Sequence, residues 1–204
     1  MIMSIVKWPE SKDEFYDYLL SLIRFDGYVD SDKRVVIYDP EYSFLLTVGQ
    51  LANKYFNTSF SVNPRHNYHV YILRIYSKDF AIKVKQHLSD FELLNINHIR
   101  GLFDAEGSIY YDEFGLRIEV KIKDKKYIEQ LSKILRDLNI NNHTDYDKKY
   151  FDPRRNKSYT YNRLRIRAID DLIKFIHIVG VRQERKLRII NNYLNNDHLN
   201  LNLS

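Results

Sequence analysis

The sequence predicts an α+β protein of two pseudo-symmetric lobes, each with the element order α-β-β-α-β-β-α, and three observations predict it. Two nine-residue strings half a chain apart, Leu19-Leu-Ser-Leu-Ile-Arg-Phe-Asp-Gly27 and Ile99-Arg-Gly-Leu-Phe-Asp-Ala-Glu-Gly107, each close an apolar stretch with a carboxylate and a glycine. Leu73–Leu88 lines up without gaps on Leu164–Val179, the long-range self-similarity of an internal repeat. The offset there is 91 residues (73 to 164) against 80 between the motif glycines (27 to 107), so the second copy carries about 11 more.

Each lobe opens with an apolar helix that ends at its acid–glycine pair, Gly27 and Gly107 being suited to the C′ position. Positions one, four, five and eight of each string fall on one helical face: Leu19, Leu22, Ile23 and Asp26, then Ile99, Leu102, Phe103 and Glu106. Ser21 and Gly101, small residues at position three, allow the two helices to pair closely. Strands Tyr28–Asp30 and Arg34–Tyr38 follow in lobe one, Ser108–Tyr111 and Leu116–Lys123 in lobe two. A helix then starts at Asp39-Pro40 and at Asp124, with aspartate as N-cap and proline in the first turn. Two further strands come next, Ser59–Val62 with Tyr68–Tyr76, and Asn142–Tyr150 with Tyr159–Ala168. Helices from Lys78 and from Asp170 close the copies, and an amphipathic helix over 182–195 precedes an Asn-rich tail expected to fray. The added length of lobe two has two homes, its longer first strand pair and a polar loop over Asp147–Ser158. The expected lobes are residues 1–90 and 91–204.

Hydrophobic residues make up 44% of the 204, enough for a proper interior, which excludes a disordered chain. No apolar run approaches the roughly 18 residues of a membrane span, and the start reads as too short for a signal peptide. A soluble, intracellular, cytoplasmic protein with no membrane partner is expected. The absence of cysteine excludes disulfides and thiolate metal sites. Net charge is +5, but residues 1–95 hold 11 basic against 12 acidic side chains, and the remainder 21 against 15. The excess therefore sits in the second half, consistent with a polyanionic partner there.

A carboxylate is a poor choice for the last turn of a helix, where the dipole and unpaired carbonyls are already negative. Placing one there twice, at Asp26 and Glu106, implies that something positive is received.

The two strings resemble the signature of the LAGLIDADG homing endonucleases in their single-chain, two-motif form, and look most like archaeal intron-encoded members. Each matches at five of nine positions: Leu19, Leu22, Ile23, Asp26 and Gly27 in the first, Gly101, Leu102, Asp104, Ala105 and Gly107 in the second. Phe25 departs from the small residue usual at position seven, and Arg24 from the aspartate at position six, which Asp104 keeps. The resemblance implies lobes packed through paired motif helices, with antiparallel sheets forming a DNA-binding saddle. It implies that Asp26 and Glu106, with the carbonyl oxygens of Phe25 and Ala105, hold a divalent metal. Such a hard-oxygen set suits Mg²⁺, with Mn²⁺ able to substitute. Lys123, directly before the Asp124 cap, takes the place of the family's basic catalytic group, and Tyr38 is the matching slot in lobe one.

Strand alternation sends Leu116, Ile118, Val120 and Ile122 one way and Arg117, Glu119, Lys121 and Lys123 the other. Arg163, Arg165 and Arg167 alternate likewise with Leu164 and Ile166, unbalanced by acids. A basic two-stranded ribbon of this kind can enter a major groove. Lobe one offers Arg34, Arg65 and Arg74 with Tyr38 and Tyr76, and His66 and Asn67 within reach. Lys148, Lys149, Arg154, Arg155 and Lys157 extend the second saddle as a basic loop. The unequal lobes imply one monomer reading an asymmetric double-stranded DNA site and breaking it with a stagger. Two rivals share these features: an RNA maturase that grips its intron RNA, and a DNA-binding regulator without cleavage. Retention of both acids argues against the regulator, because a pure binder has no use for destabilising carboxylates.

Overall fold

The structure, a computed structural model, describes residues 7–65, 68–153 and 155–201. Lobe one runs α1 (Lys12–Asp26), β1 (Gly27–Asp30), β2 (Arg34–Asp39), α2 (Tyr42–Phe56), β3 (Ser59–Pro64), β4 (Tyr71–Tyr76) and α3 (Lys78–Ser89). Lobe two repeats the order as α4 (Ile96–Glu106), β5 (Gly107–Asp112), β6 (Gly115–Ile122), α5 (Lys125–Asp137), β7 (His143–Asp152), β8 (Lys157–Ile166) and α6 (Ile169–Ile178). A last helix, α7, spans Glu184–Leu201, so the Asn-rich residues expected to fray continue it to Leu201. Each lobe carries one antiparallel sheet, with the orders β1-β2-β4-β3 and β5-β6-β8-β7.

The pairing of α1 with α4 joins the lobes. Leu19, Leu22, Ile23, Ile99, Leu102 and Phe103, the six apolar members of the two motif stripes, are all buried. Their approach is as close as the small residues allow: a Cβ added at Gly101 would lie 2.3 Å from the Tyr18 carbonyl and 2.9 Å from Ser21 Cβ. Phe25 does not wedge into this seam. Its ring meets Tyr127 and Phe91 edge-on at centroid distances of 5.3 and 6.2 Å. Gly27 and Gly107 follow the helices in extended conformation, so their role is space rather than a left-handed turn. A Cβ at Gly107 would come within 2.4 Å of the Phe103 carbonyl.

Leu116, Ile118, Val120 and Ile122 all face the core, as strand alternation requires. Register also aligns the lobes: Leu73 pairs with Ile37, and Leu164 with Val120, the match read from the repeat.

Three expectations are corrected. Asp39 closes β2 instead of capping α2; Glu41 is the residue at the N-cap, and Asp39 Oδ1 accepts from its amide at 2.7 Å. Asp124 does cap α5, accepting from Lys126. The segment over 147–158 is not a loop, because β7 extends to Asp152 and β8 starts at Lys157. Finally, Gly27 pairs with Ile37 and Gly107 with Val120, which equates Tyr38 with Lys121. Counting on, Glu41 matches Asp124 as helix cap, and the lobe-one slot matching Lys123 is Pro40, not Tyr38.

Candidate active site and nucleic-acid interface

Asp26 and Glu106 are the last residues of α1 and α4, and pairing those helices brings the acids together. Burial, then the charge of Asp26, push the Glu106 carboxyl up to about 7, with Lys186 opposing. Asp26 is raised by burial against the charges of Lys186 and Arg185. Two half-buried carboxylates near enough for one to raise the other cannot both ionise cheaply unless positive charge is added.

Part of that charge is built in, and sequence reading missed it. Lys186 from the first turn of α7 is buried, and its Nζ donates to the carbonyls of Phe103 at 2.6 Å and Asp104 at 2.8 Å. It closes the C-terminus of α4, where helix carbonyls lack amide partners. Burial lowers its ammonium to about 8, against the raising effect of Asp104. Beneath it Asp104, the position-six aspartate, is fully buried in a network. It accepts from Tyr18 Oη at 2.9 Å, Arg182 Nη1 at 2.9 Å and the Arg182 amide at 3.0 Å. The same chain segment reaches lobe one: Gln183 Nε2 donates to Asp39, and the Glu184 amide donates to Glu41 at 2.5 Å. Burial lifts Asp39 to about 6. Residues 182–186 thus tie the motif helix of lobe two to the β2–α2 junction of lobe one. The run Gln183-Glu-Arg-Lys186 after Gly180 marks a helix start in the sequence, but nothing local says which carbonyls it will meet.

Lys123 lies exposed after β6, its carbonyl accepting from Asn162 Nδ2 at 2.7 Å. The positive charges that act on the acids are Lys186, on both, and Arg185, on Asp26. Among the described residues no three carboxylate or imidazole groups converge as a metal cage. Two carboxylates beside helix-terminal carbonyls are a hard-oxygen set, which fits a Mg²⁺-like ion that retains water and takes substrate oxygen as ligands.

Both sheets turn one face away from the core. On that face of lobe one Arg34 pairs with Asp30 at 2.6 Å, Arg74 is half-buried, and the Tyr76 hydroxyl meets Ser61 Oγ at 3.2 Å. Tyr28 stacks on Tyr38 at 6.2 Å, and Arg65 lies 5.3 Å from the Tyr38 ring and 4.2 Å from Tyr68. In lobe two the arginines are not unbalanced by acids, contrary to expectation. Asp145 Oδ2 accepts from Arg163 at 2.8 Å and Arg165 at 2.7 Å, and Arg163 also lies 3.4 Å from Glu119. Glu119 is buried and takes Lys121 at 2.7 Å, while the buried Arg117 is held by Asp112 at 2.9 Å. Glu119 is on β6 itself, while Asp145 and Asp112 come from β7 and β5, strands whose registry alternation within β6 and β8 does not disclose.

Arg167 is exposed beyond β8. Lys148 lies 4.0 Å from Asp145 and Arg155 lies 3.9 Å from Asp152. Lys149 pairs across the ribbon with Thr160, on the face opposite Lys148 and Tyr161. Lys157 stands 5.9 Å from the Tyr159 ring. Arg154, His66 and Asn67 lie outside the described residues.

Two αββαββα lobes seamed by helices that each end in an acid and a glycine are the architecture of the LAGLIDADG fold. Residues 94–180 match the model of the LAGLIDADG-like domain family, and the fold of the whole chain is the LAGLIDADG fold. The structure is similar to that of I-DmoI in complex with DNA and Ca, with TM-score 0.61 and 24% identity over 83% of this chain and 91% of that one. I-DmoI in complex with DNA and Mn gives 0.60 and 23%, over 85% and 99%. Full-length DUF199/WhiA from Thermatoga maritima gives 0.60 and 19%, over 97% of this chain and 69% of that one. Among curated proteins no sequence matches the chain. No helix among the described residues is long and apolar enough to cross a membrane.

Proposed function

We propose that this protein is a monomeric, intron-encoded homing endonuclease that makes a staggered double-strand break in a long, asymmetric DNA target. The observation that carries the reading is the convergence of Asp26 and Glu106 at the ends of paired helices, with Glu106 raised to about 7. Apposed carboxylates weaken a fold unless a cation is to be received between them. The similar structures of I-DmoI, with DNA and with Ca or Mn, support the same reading.

Asp26 and Glu106, with the carbonyls of Phe25 and Ala105, would hold Mg²⁺, for which Mn²⁺ can substitute. When bound, the ion supplies activation of water and neutralisation of charge developing on the phosphate. The remaining work belongs to the chain. The outward sheet faces hold the duplex across the seam of the motif helices. Lys186 keeps one positive charge fixed beside both acids and keeps the end of α4 from fraying. Lys123, exposed just before the Asp124 cap of α5, would meet backbone phosphate from the solvent side.

The test is incubation with the intronless allele of the host locus and Mg²⁺, with both ends of each product sequenced. Two offset cuts at one site are expected, lost in Asp26→Asn and Glu106→Gln while binding without metal persists. A duplex bound and never cut would leave a DNA-binding regulator; splicing of the host intron without DNA binding would leave a maturase.

A further inference from the structure

The far end of the β7–β8 pair extends beyond the four-stranded body of lobe two. β6 pairs with β8 only as far as Ile122–Asn162, whereas β7 and β8 stay paired from Lys148–Tyr161 out to Asp152–Lys157. Five residue pairs at about 3.3 Å each make a two-stranded ribbon about 16 Å long, of a width that a major groove admits.

On the outward face of this ribbon lies a hollow of about 330 Å³ lined by Lys121, Tyr150, Tyr159 and Tyr161. Pairing explains the grouping: Tyr150 is opposite Tyr159, Tyr161 is two residues on, and Lys121 is opposite Arg163, two residues further. Three aromatic rings in one cradle are unusual for a surface built to bind phosphate. Tyr150 is 55% exposed, so the cradle is a wet apolar surface that no described residue covers. Polar reading is also constrained here. The Tyr159 hydroxyl oxygen acts on Arg155, raising its guanidinium, and Lys121 is held by Glu119 at 2.7 Å. The two arginines nearest the ribbon base are engaged by Asp145. The cations around the cradle draw in a polyanion, and the rings decide what its surface must offer.

In the major groove the apolar feature on a base edge is the 5-methyl group of thymine. We infer that the Tyr150–Tyr159–Tyr161 cradle is a specificity determinant that packs on thymine methyls, so that the outer segment of one half-site is read by apolar contact rather than by arginine. The inference rests on the DNA-binding reading above and adds to it which bases this ribbon selects and by what force. Burying one methyl group stabilises by roughly 0.8 kcal/mol, which is about fourfold in affinity per thymine.

The experiment enriches bound duplexes from a randomised library with the full-length protein, in Ca²⁺ to hold cleavage off. The preferred duplex is then rebuilt with deoxyuridine for thymine, one position at a time. The expected result is thymine at defined positions in one outer segment, each replacement there weakening binding about fourfold and replacements elsewhere having less effect. Tyr150→Ala and Tyr161→Ala should abolish that sensitivity, and Tyr150→Phe should keep it because the ring is retained. Outer positions without thymine preference, indifference to deoxyuridine, or loss of the effect in Tyr150→Phe would each overturn the inference while leaving DNA binding intact. A library that shows no enrichment would overturn the DNA reading itself, and the inference with it.

Discussion

The Nζ of Lys186 lies 2.8 Å from the carbonyl oxygen of Asp104, two residues before the acid Glu106, so a lysine from the last helix closes the helix on which that acid stands. Its charge lowers the carboxyls of both Asp26 and Glu106, which burial raises. Lys186→Met should therefore cut single-turnover cleavage by about 10²-fold, the scale of losing one fixed electrostatic contact at a reacting centre. Affinity for the duplex without metal should change little, and the rise of cleavage with pH should move to higher pH as Glu106 loses its nearest cation. Wild-type rates across pH 6–9 would remove Lys186 from the site.

Glu106 also makes stability depend on pH. Its folded value of about 7 lies above its ordinary value, so between the two the native state holds more protons than the unfolded chain. Without metal, stability falls as pH rises through that window, and the loss is complete above 7. Discounted for the part of the group still in water, this is about 1 kcal/mol, or roughly 2–4 °C for a chain this size. Glu106→Gln should raise the metal-free Tm at pH 8 by that amount and leave it nearly unchanged at pH 4. Calorimetry at the two pH values checks both.

The seam of α1 and α4 leaves no room at Gly101, where a Cβ would sit 2.3 Å from the Tyr18 carbonyl. The clash is with backbone and cannot be relieved by a rotamer. Gly101→Ala should cost about 1–3 kcal/mol in urea unfolding, as overpacking does, and Gly101→Val more. Because the acids stand one to two turns further along the same helices, cleavage should fall further than binding does.

Asp145 sets how much of the basic face is available. Burial alone would raise its carboxyl, yet the bonds and charges of Arg163 and Arg165 hold it below the ordinary carboxylate range. Asp145→Ala releases both guanidiniums from their acid. Binding to non-specific duplex should strengthen, and the slope of log K against log salt should steepen by about 0.9 for each arginine that turns to phosphate. Titrations between 50 and 200 mM salt would show it. An unchanged slope would mean that Glu119 alone is enough to hold Arg163.

How much of this was legible in the residues follows from the range of the forces involved. The paired motif helices, the two acids at their ends, the apolar back of β6 and the small residues at Ser21 and Gly101 are all periodic or local signals, and the structure bears them out. The repeat between Leu73–Leu88 and Leu164–Val179 foretold the doubled element order, and the two leucines that open it hold equivalent places in the two sheets. The start of α2 is not legible locally, because Asp39 reads as a cap until its buried partner Gln183, 144 residues away, is known. The ribbon over 147–158 reads as a loop because polar, charged residues serve equally well in a strand that stands in water.

Alone, the order of residues determined the architecture and the identity of the acidic pair, since helix and strand periods and chain symmetry need no distant partner to be expressed. Only the tertiary structure decided the charge balance. It brought Lys186 to the carbonyls of Phe103 and Asp104, set Arg182 against Asp104, and gave Arg163 and Arg165 to Asp145. An ion pair depends on distance through space, and distance through space between residues far apart in the chain exists only once the fold has formed.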